Sequence, residues 1–239
     1  MRIDSLPNGP KNAIPDRELT PEFVSKWDKD LHTIQDLTKE AKKMNCILIV
    51  KGGLAVEAQT GGKLTRSHND IDITFVNSSG QSDNQIFNFV NKVMKAEDTV
   101  WELYNKSPEK IEFREKEDDR PFFNRRRLEF IIKKESDLKY EEKELVFSNG
   151  HKISVMVTEF YQLIALKTKK LFSVNDDPEH AERDTNVSDY TDLKRMIELP
   201  GYNKEKALKM LVEALKNYKN PSSEAVKEYD FVTDLLKEV

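Results

Sequence analysis

The sequence predicts an α+β fold, a mixed β-sheet with flanking helices followed by a C-terminal helical bundle. Three observations predict it. Short apolar runs, several alternating with period two, crowd the stretch from Ile47 to Val157. From Thr158 onward the apolar residues recur instead at three- and four-residue spacing. Clusters of Gly, Pro, Asn and Ser separate the segments.

Residues 1–19 carry Pro7, Asn8, Gly9, Pro10 and Pro15 with no apolar period, and are expected to form a flexible arm. A helix is expected from Thr20-Pro21, a capping residue followed by proline in the first turn. Trp27, Leu31, Ile34, Leu37, Ala41 and Met44 then make one apolar stripe. Ile47–Val50 reads as a core strand, and Gly52-Gly53 turns the chain into a short helical segment, Leu54–Gln59. Asn69–Phe75 reads as the next strand, fading at Asn77-Ser78-Ser79-Gly80. Ile86, Phe87, Val90, Val93 and Met94 predict a helix. Strands follow near Thr99–Tyr104, Lys110–Arg114, Arg127–Ile132 and Glu144–Phe147, with an exposed charged loop at Glu115–Arg120. Ser148-Asn149-Gly150 signals a hairpin that returns as Ile153–Val157.

Phe160, Leu163, Ile164, Lys167 and Leu171 define a helix that Asn175-Asp176-Asp177-Pro178 breaks. Further helices are expected around Val187–Leu199, Asn203–Tyr218 and Pro221–Val239. The expected organisation is an arm (1–19), a sheet core (20–157) and a helical region (158–239).

Composition narrows the function. The chain has 239 residues, 37% hydrophobic and 34% charged, and no apolar stretch approaches the ~20 residues that span a bilayer. Met1-Arg2-Ile3-Asp4-Ser5 has no hydrophobic signal region, and Cys46, the single cysteine, cannot form an internal disulfide. A cytoplasmic protein is expected. Net charge is −4 with both signs mixed, a poor footprint for duplex DNA binding. Arg125-Arg126-Arg127 is the densest basic cluster, to be read as a solvated strand start or as a phosphate contact. His32, His151 and His180 have no zinc-like spacing.

The chemistry points to Asp70-Ile71-Asp72. On a strand the two carboxylates share one face, about 7 Å apart, while Ile71 and Ile73 face the core. Such a pair repels itself, and is expected to bind a hard cation or to serve charge chemistry. Gly62-Lys63 imitates the end of a phosphate-binding P-loop, but Leu64 stands where Ser or Thr is needed and Glu57 where the first Gly belongs.

Gly52-Gly53-Leu54-Ala55-Val56-Glu57-Ala58, Thr65-Arg66 and His68-Asn69-Asp70-Ile71-Asp72 occur in this order between two apolar strands. At these residues the chain resembles the nucleotidyltransferase superfamily that includes DNA polymerase beta. It is most similar to the aminoglycoside and lincosamide nucleotidyltransferases, which carry Gly-Gly-x-Ala-Val-Asp-Ala, a loop with Thr-Arg, and His-Asp-Asp-Ile-Asp. The resemblance implies a nucleotidyltransferase-type sheet and transfer of a nucleoside monophosphate from an NTP to a hydroxyl, with Mg²⁺ or Mn²⁺ as cofactor. It implies that Asp70 and Asp72 bind metal, and that a third carboxylate stands on a later strand. Glu129, in Arg127-Leu128-Glu129-Phe130-Ile131-Ile132, is the candidate, as metal ligand or general base, with Glu112 as its rival. An acid in an apolar strand needs a partner when buried, so the other reading of Glu129 is a salt bridge to Arg126 or to a neighbouring strand's lysine.

The resemblance further implies that the backbone at Gly52 and Gly53 approaches phosphate, and that Lys63 and Arg66 hold the triphosphate. Gly53 stands where much of the superfamily has Ser. Lys167 or Lys170 would fill the place of a lysine that the family often carries on a later helix; the competing reading is a helix C-terminus that favours cations. His68 would touch substrate or pack the loop. Arg183-Asp184-Thr185-Asn186 departs from the family's Arg-x-Lys-Asp, and Asp189 is expected to cap or bridge.

The acceptor stays open at this stage: a small molecule of aminoglycoside or lincosamide type, a tRNA or a protein. Toxin-type nucleotidyltransferases of abortive-infection or toxin–antitoxin systems share the same core. A rival from another class is a catalytically silent nucleotide-binding or regulatory module of the same fold.

Overall fold

A computed structural model describes residues 19–66, 68–77, 80, 82–94, 101–107, 110–116, 125–133, 138–175 and 185–215. Residues 1–18 of the expected arm and the expected helix over Pro221–Val239 lie outside the described residues. The chain divides into a sheet unit, Glu18–Glu159, and a helical unit that begins at Phe160.

The sheet unit opens with α1, Pro21–Lys43. Thr20 caps it by accepting from the Phe23 N–H at 3.4 Å, Pro21 sits in the first turn, and Lys42 and Lys43 lie in the last. Trp27, Leu31, Ile34, Leu37 and Ala41 form the expected stripe and are all buried. Each large side chain so removed from water contributes ~1.5–3 kcal/mol. Asp30, on the same stripe, is buried as well.

Strand β1, Ile47–Val50, leads directly into α2, Gly52–Gln59. The helix therefore starts at the glycines, two residues before the segment expected from Leu54. Strand β2, Asp70–Val76, and helix α3, Asp83–Met94, follow. Strands β3 (Trp101–Lys106), β4 (Lys110–Glu115), β5 (Arg127–Lys133), β6 (Tyr140–Val146) and β7 (Lys152–Thr158) complete the sheet. Among the described residues the seven strands lie in the order β3-β4-β5-β2-β1-β7-β6. β1 runs antiparallel to β2, whereas β2–β5 and β1–β7 are parallel, so the sheet is mixed. β6 and β7 form the hairpin signalled by Ser148-Asn149-Gly150, closed by Phe147 N–H to the His151 carbonyl at 2.8 Å, with Gly150 at φ +85°.

β2 sits at the centre because its Ile71, Ile73 and Phe75 are almost wholly buried. They join Leu48, Ile49, Val50, Phe113, Leu128, Phe130 and Val157 in the core. Cys46 is a free, buried thiol at the start of β1.

The helical unit contains α4 (Phe160–Asn175), α5 (Thr185–Ile197) and α6 (Lys204–Leu215). α4 packs against both others, burying Leu163, Ile164, Leu193, Met196, Ala207 and Leu211. No described helix is long and apolar enough to cross a membrane.

Candidate active site

Strand alternation and register build a charged face on the sheet. β2 and β5 pair in parallel with Asp70 opposite Arg127 and Asp72 opposite Glu129. β4 and β5 pair antiparallel, with Arg114 opposite Arg127 and Glu112 opposite Glu129. Directly paired residues point to the same face. Two rows therefore cross three strands: Asp70, Arg127 and Arg114, then Asp72, Glu129 and Glu112. Neighbouring strands lie about 4.8 Å apart, so three carboxylates in one row repel strongly unless cations adjoin them.

Those cations are present. The Arg127 guanidinium lies 3.2 Å from Asp70 Oδ2, 3.6 Å from Asp72 Oδ1 and 3.6 Å from Glu129 Oε2. Lys110 reaches Glu129 at 2.7 Å and Glu112 at 3.2 Å, and Arg114 pairs with Glu112. Burial pulls the Arg127 pKa down, but Asp72, Asp70, Glu129 and Glu112 outweigh it and leave it raised. The hydrogen bond to Glu129 raises the Lys110 pKa against burial. Glu129 thus does pair with a neighbouring strand's lysine. It does not pair with Arg126, which points to the opposite face of β5.

Among the described residues no three His, Cys, Asp or Glu side chains are grouped closely enough to hold one metal ion. The donor set nevertheless suits one in kind: Asp70, Asp72 and Glu129 offer hard oxygen ligands, gathered in this structure round the Arg127 guanidinium.

The glycine bend adjoins this face. Lys51 N–H donates to the Asp72 carbonyl at 2.8 Å and fixes β1 against the middle of β2. Lys51 is also the N-cap of α2 and places no side-chain hydrogen bond on its first turn. Gly52 sits at φ +60°, and a Cβ there would stand 2.7 Å from Asp72 Oδ2. A Cβ on Gly53 would stand 2.7 Å from His68 Cε1 and 2.8 Å from Arg66 Nη2. The bare backbone is thus what lets a carboxylate on one side, and a guanidinium and an imidazole on the other, meet at one bend.

Of the residues expected to work together, Gly52, Asp70, Asp72 and Glu129 meet at one place, and Arg66 meets Gly53 beside them. Lys63 is exposed on the loop between α2 and β2. His68 is buried, with its ring 6.2 Å from that of Trp27, and so packs the loop. Lys167, in the helical unit, is buried between Asp189 at 2.5 Å and Asp192 at 2.7 Å, so Asp189 bridges as expected. Burial lowers the Lys167 pKa and the two carboxylates more than restore it. Lys170 lies on α4.

Three residues here were not expected individually. Arg127 is legible by period two, since it precedes Glu129 by two positions on one strand. Glu57 and Asp30 are lone acids on apolar helix faces, and both turn out to be buried.

In sequence, the aminoglycoside-2''-adenylyltransferase family matches residues 31–156. No curated protein matches the chain. The fold is similar to that of an antigenic nucleotidyltransferase-like protein from Paracoccidioides brasiliensis, at TM-score 0.50 and 14% identity, covering 92% of this chain and 94% of that one. It is similar also to the antibiotic-resistance factor ANT(2'')-Ia in solution, at TM-score 0.52 and 14% identity, over 87% of this chain and 99% of that one. ANT(2'')-Ia in complex with adenylyl-2''-tobramycin gives TM-score 0.50 at 14% identity, over 82% and 99%. At such identity these structures speak for the fold.

Proposed function

The chain belongs to the aminoglycoside-2''-adenylyltransferase family, which makes it a nucleotidyltransferase, and we propose that its acceptor is a small aminoglycoside-like molecule and its cofactor Mg²⁺ or Mn²⁺. The observation that carries the reading is Gly52 pressed against Asp72 while Asp70 and Glu129 converge with Asp72 on one positive centre. The adenylyl-tobramycin complex of ANT(2'')-Ia makes an aminoglycoside hydroxyl the first acceptor to try.

In this proposal Asp70 and Asp72 hold the cation. A bound divalent ion neutralises charge on the triphosphate and orients it. The main-chain N–H groups at Gly52 and Gly53 lie where phosphate oxygens come close, and Arg66 adds a fixed positive charge beside them. Lys63, exposed on the loop, extends that charge. Lys167, engaged by two buried aspartates, has a structural part. The acceptor hydroxyl attacks the α-phosphorus, the bond to the bridging oxygen breaks and pyrophosphate leaves. The hydroxyl proton passes to Glu129.

Incubation with each of the four NTPs, Mg²⁺ or Mn²⁺, and a panel of aminoglycosides, lincosamides, tRNA and protein tests the reading. Pyrophosphate release with a nucleoside-monophosphate mass increment on an aminoglycoside is expected. An increment on tRNA or protein instead would replace the acceptor. NTP binding without turnover across the panel would mark a silent nucleotide-binding module.

A further inference from the structure

The lone acid of α2 lies outside the charged face, yet it organises the loop that brings Arg66 to the glycine bend. Glu57 is fully buried on a helix otherwise lined by Leu54, Ala55, Val56 and Ala58. A carboxylate there costs several kcal/mol unless its lone pairs are filled. The loop fills them. The Thr65 N–H donates to Glu57 Oε1 at 3.2 Å, and the Thr65 hydroxyl lies 2.9 Å from each carboxylate oxygen. His68 directs Nε2 at Oε1, 2.9 Å away.

Main-chain bonds close the rest of the loop. Gly62 N–H donates to the Glu57 carbonyl at 2.7 Å, and Val146 N–H donates to the Gly62 carbonyl at 2.7 Å. The His68 carbonyl accepts from Arg126 Nε at 3.2 Å. The loop is thus pinned at Gly62, Thr65 and His68, and Arg66 lies between the last two pins. Glu57 holds Thr65 and His68 together from one point, and both flank the residue that stands against Gly53.

We propose that Glu57 is a positioning residue: its buried carboxylate clamps Thr65 and His68 so that the Arg66 guanidinium is held at the Gly52-Gly53 bend for nucleotide phosphate. The inference rests on the proposed function, since it gives Arg66 a phosphate to meet. It differs from that reading in placing part of the nucleotide affinity in a side chain that never touches the nucleotide. Charge-assisted hydrogen bonds to phosphate depend on geometry, so a loosened loop weakens binding without altering the reacting groups.

The test measures affinity for a non-hydrolysable NTP analogue, and steady-state kinetics, for wild type, Glu57→Gln, Glu57→Asp, Arg66→Ala and the Glu57→Gln/Arg66→Ala pair. Glu57→Gln keeps the size but removes the charge that strengthens these hydrogen bonds, and puts an N–H₂ group at one of the two oxygen positions that the Thr65 hydroxyl contacts. It is expected to weaken analogue binding and raise KM for NTP about tenfold, a shift of ~1.4 kcal/mol, with kcat within about threefold. Glu57→Asp retains the carboxylate and is expected to recover most of the affinity. In the Arg66→Ala background Glu57→Gln should add less than about twofold, because it acts through Arg66. Should Glu57→Gln fail to fold, Thr65→Val, which removes one donor to the clamp, is expected to raise KM by about three- to fivefold on the same reasoning. Multiplicative losses in the double variant, or a fall in kcat at constant KM, would overturn the proposal. Wild type that binds no nucleotide analogue would overturn both this proposal and the functional reading. Equal binding by wild type and Glu57→Gln overturns this one alone.

Discussion

Replacing Arg126 with methionine removes a positive charge from beneath the sheet while keeping much of the side chain's length. Arg126 is 4% exposed and pairs with Asp30, itself 3% exposed. It also lies 3.6 Å from Glu115, donates to the His68 carbonyl, and sits over the Trp101 ring at 5.6 Å. Without it, Asp30 keeps the weaker pull of Lys26 and still faces the Glu115 carboxylate. Breaking a buried pair from one side costs ~3–5 kcal/mol, because the other charge stays buried. The cost depends on pH. Burial raises the Asp30 pKa to about 6 from 3.8, against the opposing pull of Arg126. A raised carboxyl pKa means that its stabilising contribution is complete below the unfolded value and is lost as pH climbs through the folded one. Loss of Arg126 raises that pKa further, so the variant's deficit must grow with pH. At pH 8 the full ~3–5 kcal/mol is expected, which at ~2–4 °C per kcal/mol lowers Tm by roughly 6–20 °C. At pH 5 Asp30 is mostly protonated in both proteins, and the deficit should shrink to ~1–2 kcal/mol from the lost carbonyl hydrogen bond and packing. Thermal unfolding followed by circular dichroism at both pH values measures it. Equal Tm losses at pH 5 and pH 8, or a loss under about 1 kcal/mol at pH 8, would show that Asp30 does not depend on Arg126 for its charge.

Gly52→Ala places a Cβ 2.7 Å from Asp72 Oδ2 at φ +60°. It should cost ~1–2 kcal/mol of stability, read by denaturant titration, and reduce kcat/KM well beyond that by displacing Asp72. Glu129→Gln should lower kcat by ~10²–10⁴, as for loss of a general base, with Mn²⁺ affinity by electron paramagnetic resonance within about threefold; a parallel collapse of Mn²⁺ binding would make Glu129 a metal ligand instead. Lys167→Met leaves Asp189 and Asp192 buried with no ammonium between them, and should destabilise the fold by ~3–5 kcal/mol while leaving KM for NTP unchanged in the folded fraction.

The period-two alternation of Asp70 and Asp72, and of Arg127 and Glu129, was readable because one strand's face follows from counting alone. The pairing of Asp72 with Glu129 was not, because it depends on which strands lie side by side over a long sequence separation. Arg126 and Arg127 show the same limit. As neighbours on one chain they form a basic cluster, but the sheet sends them to opposite faces, one to Asp30 and one to Asp70. Strand β6 starts at Tyr140, earlier than the expected Glu144. An edge strand with residues as charged as Glu141-Glu142-Lys143-Glu144 lacks the apolar signature that marks a buried one. Helix α2 reaches back to the glycines because Gly52 adopts positive φ to enter it, a conformation that helical propensity does not register. Lys167 reads, with Lys170, as a cation near a helix end until Asp189 and Asp192, more than twenty residues later in the chain, are brought round it. The Gly-Gly and Asp-x-Asp elements carried the family because they are contiguous and chemically unusual; the acceptor leaves no comparable mark.

Pyrophosphate release by wild type against Asp70→Asn and Asp72→Asn, each confirmed folded by its melting curve, tests whether this pair of carboxylates carries nucleotidyl transfer. A loss of ~10²–10³-fold is expected in each variant, the scale seen when one group that stabilises transition-state charge is removed, with Tm unchanged or slightly raised. Turnover within tenfold of wild type in either variant would contradict it.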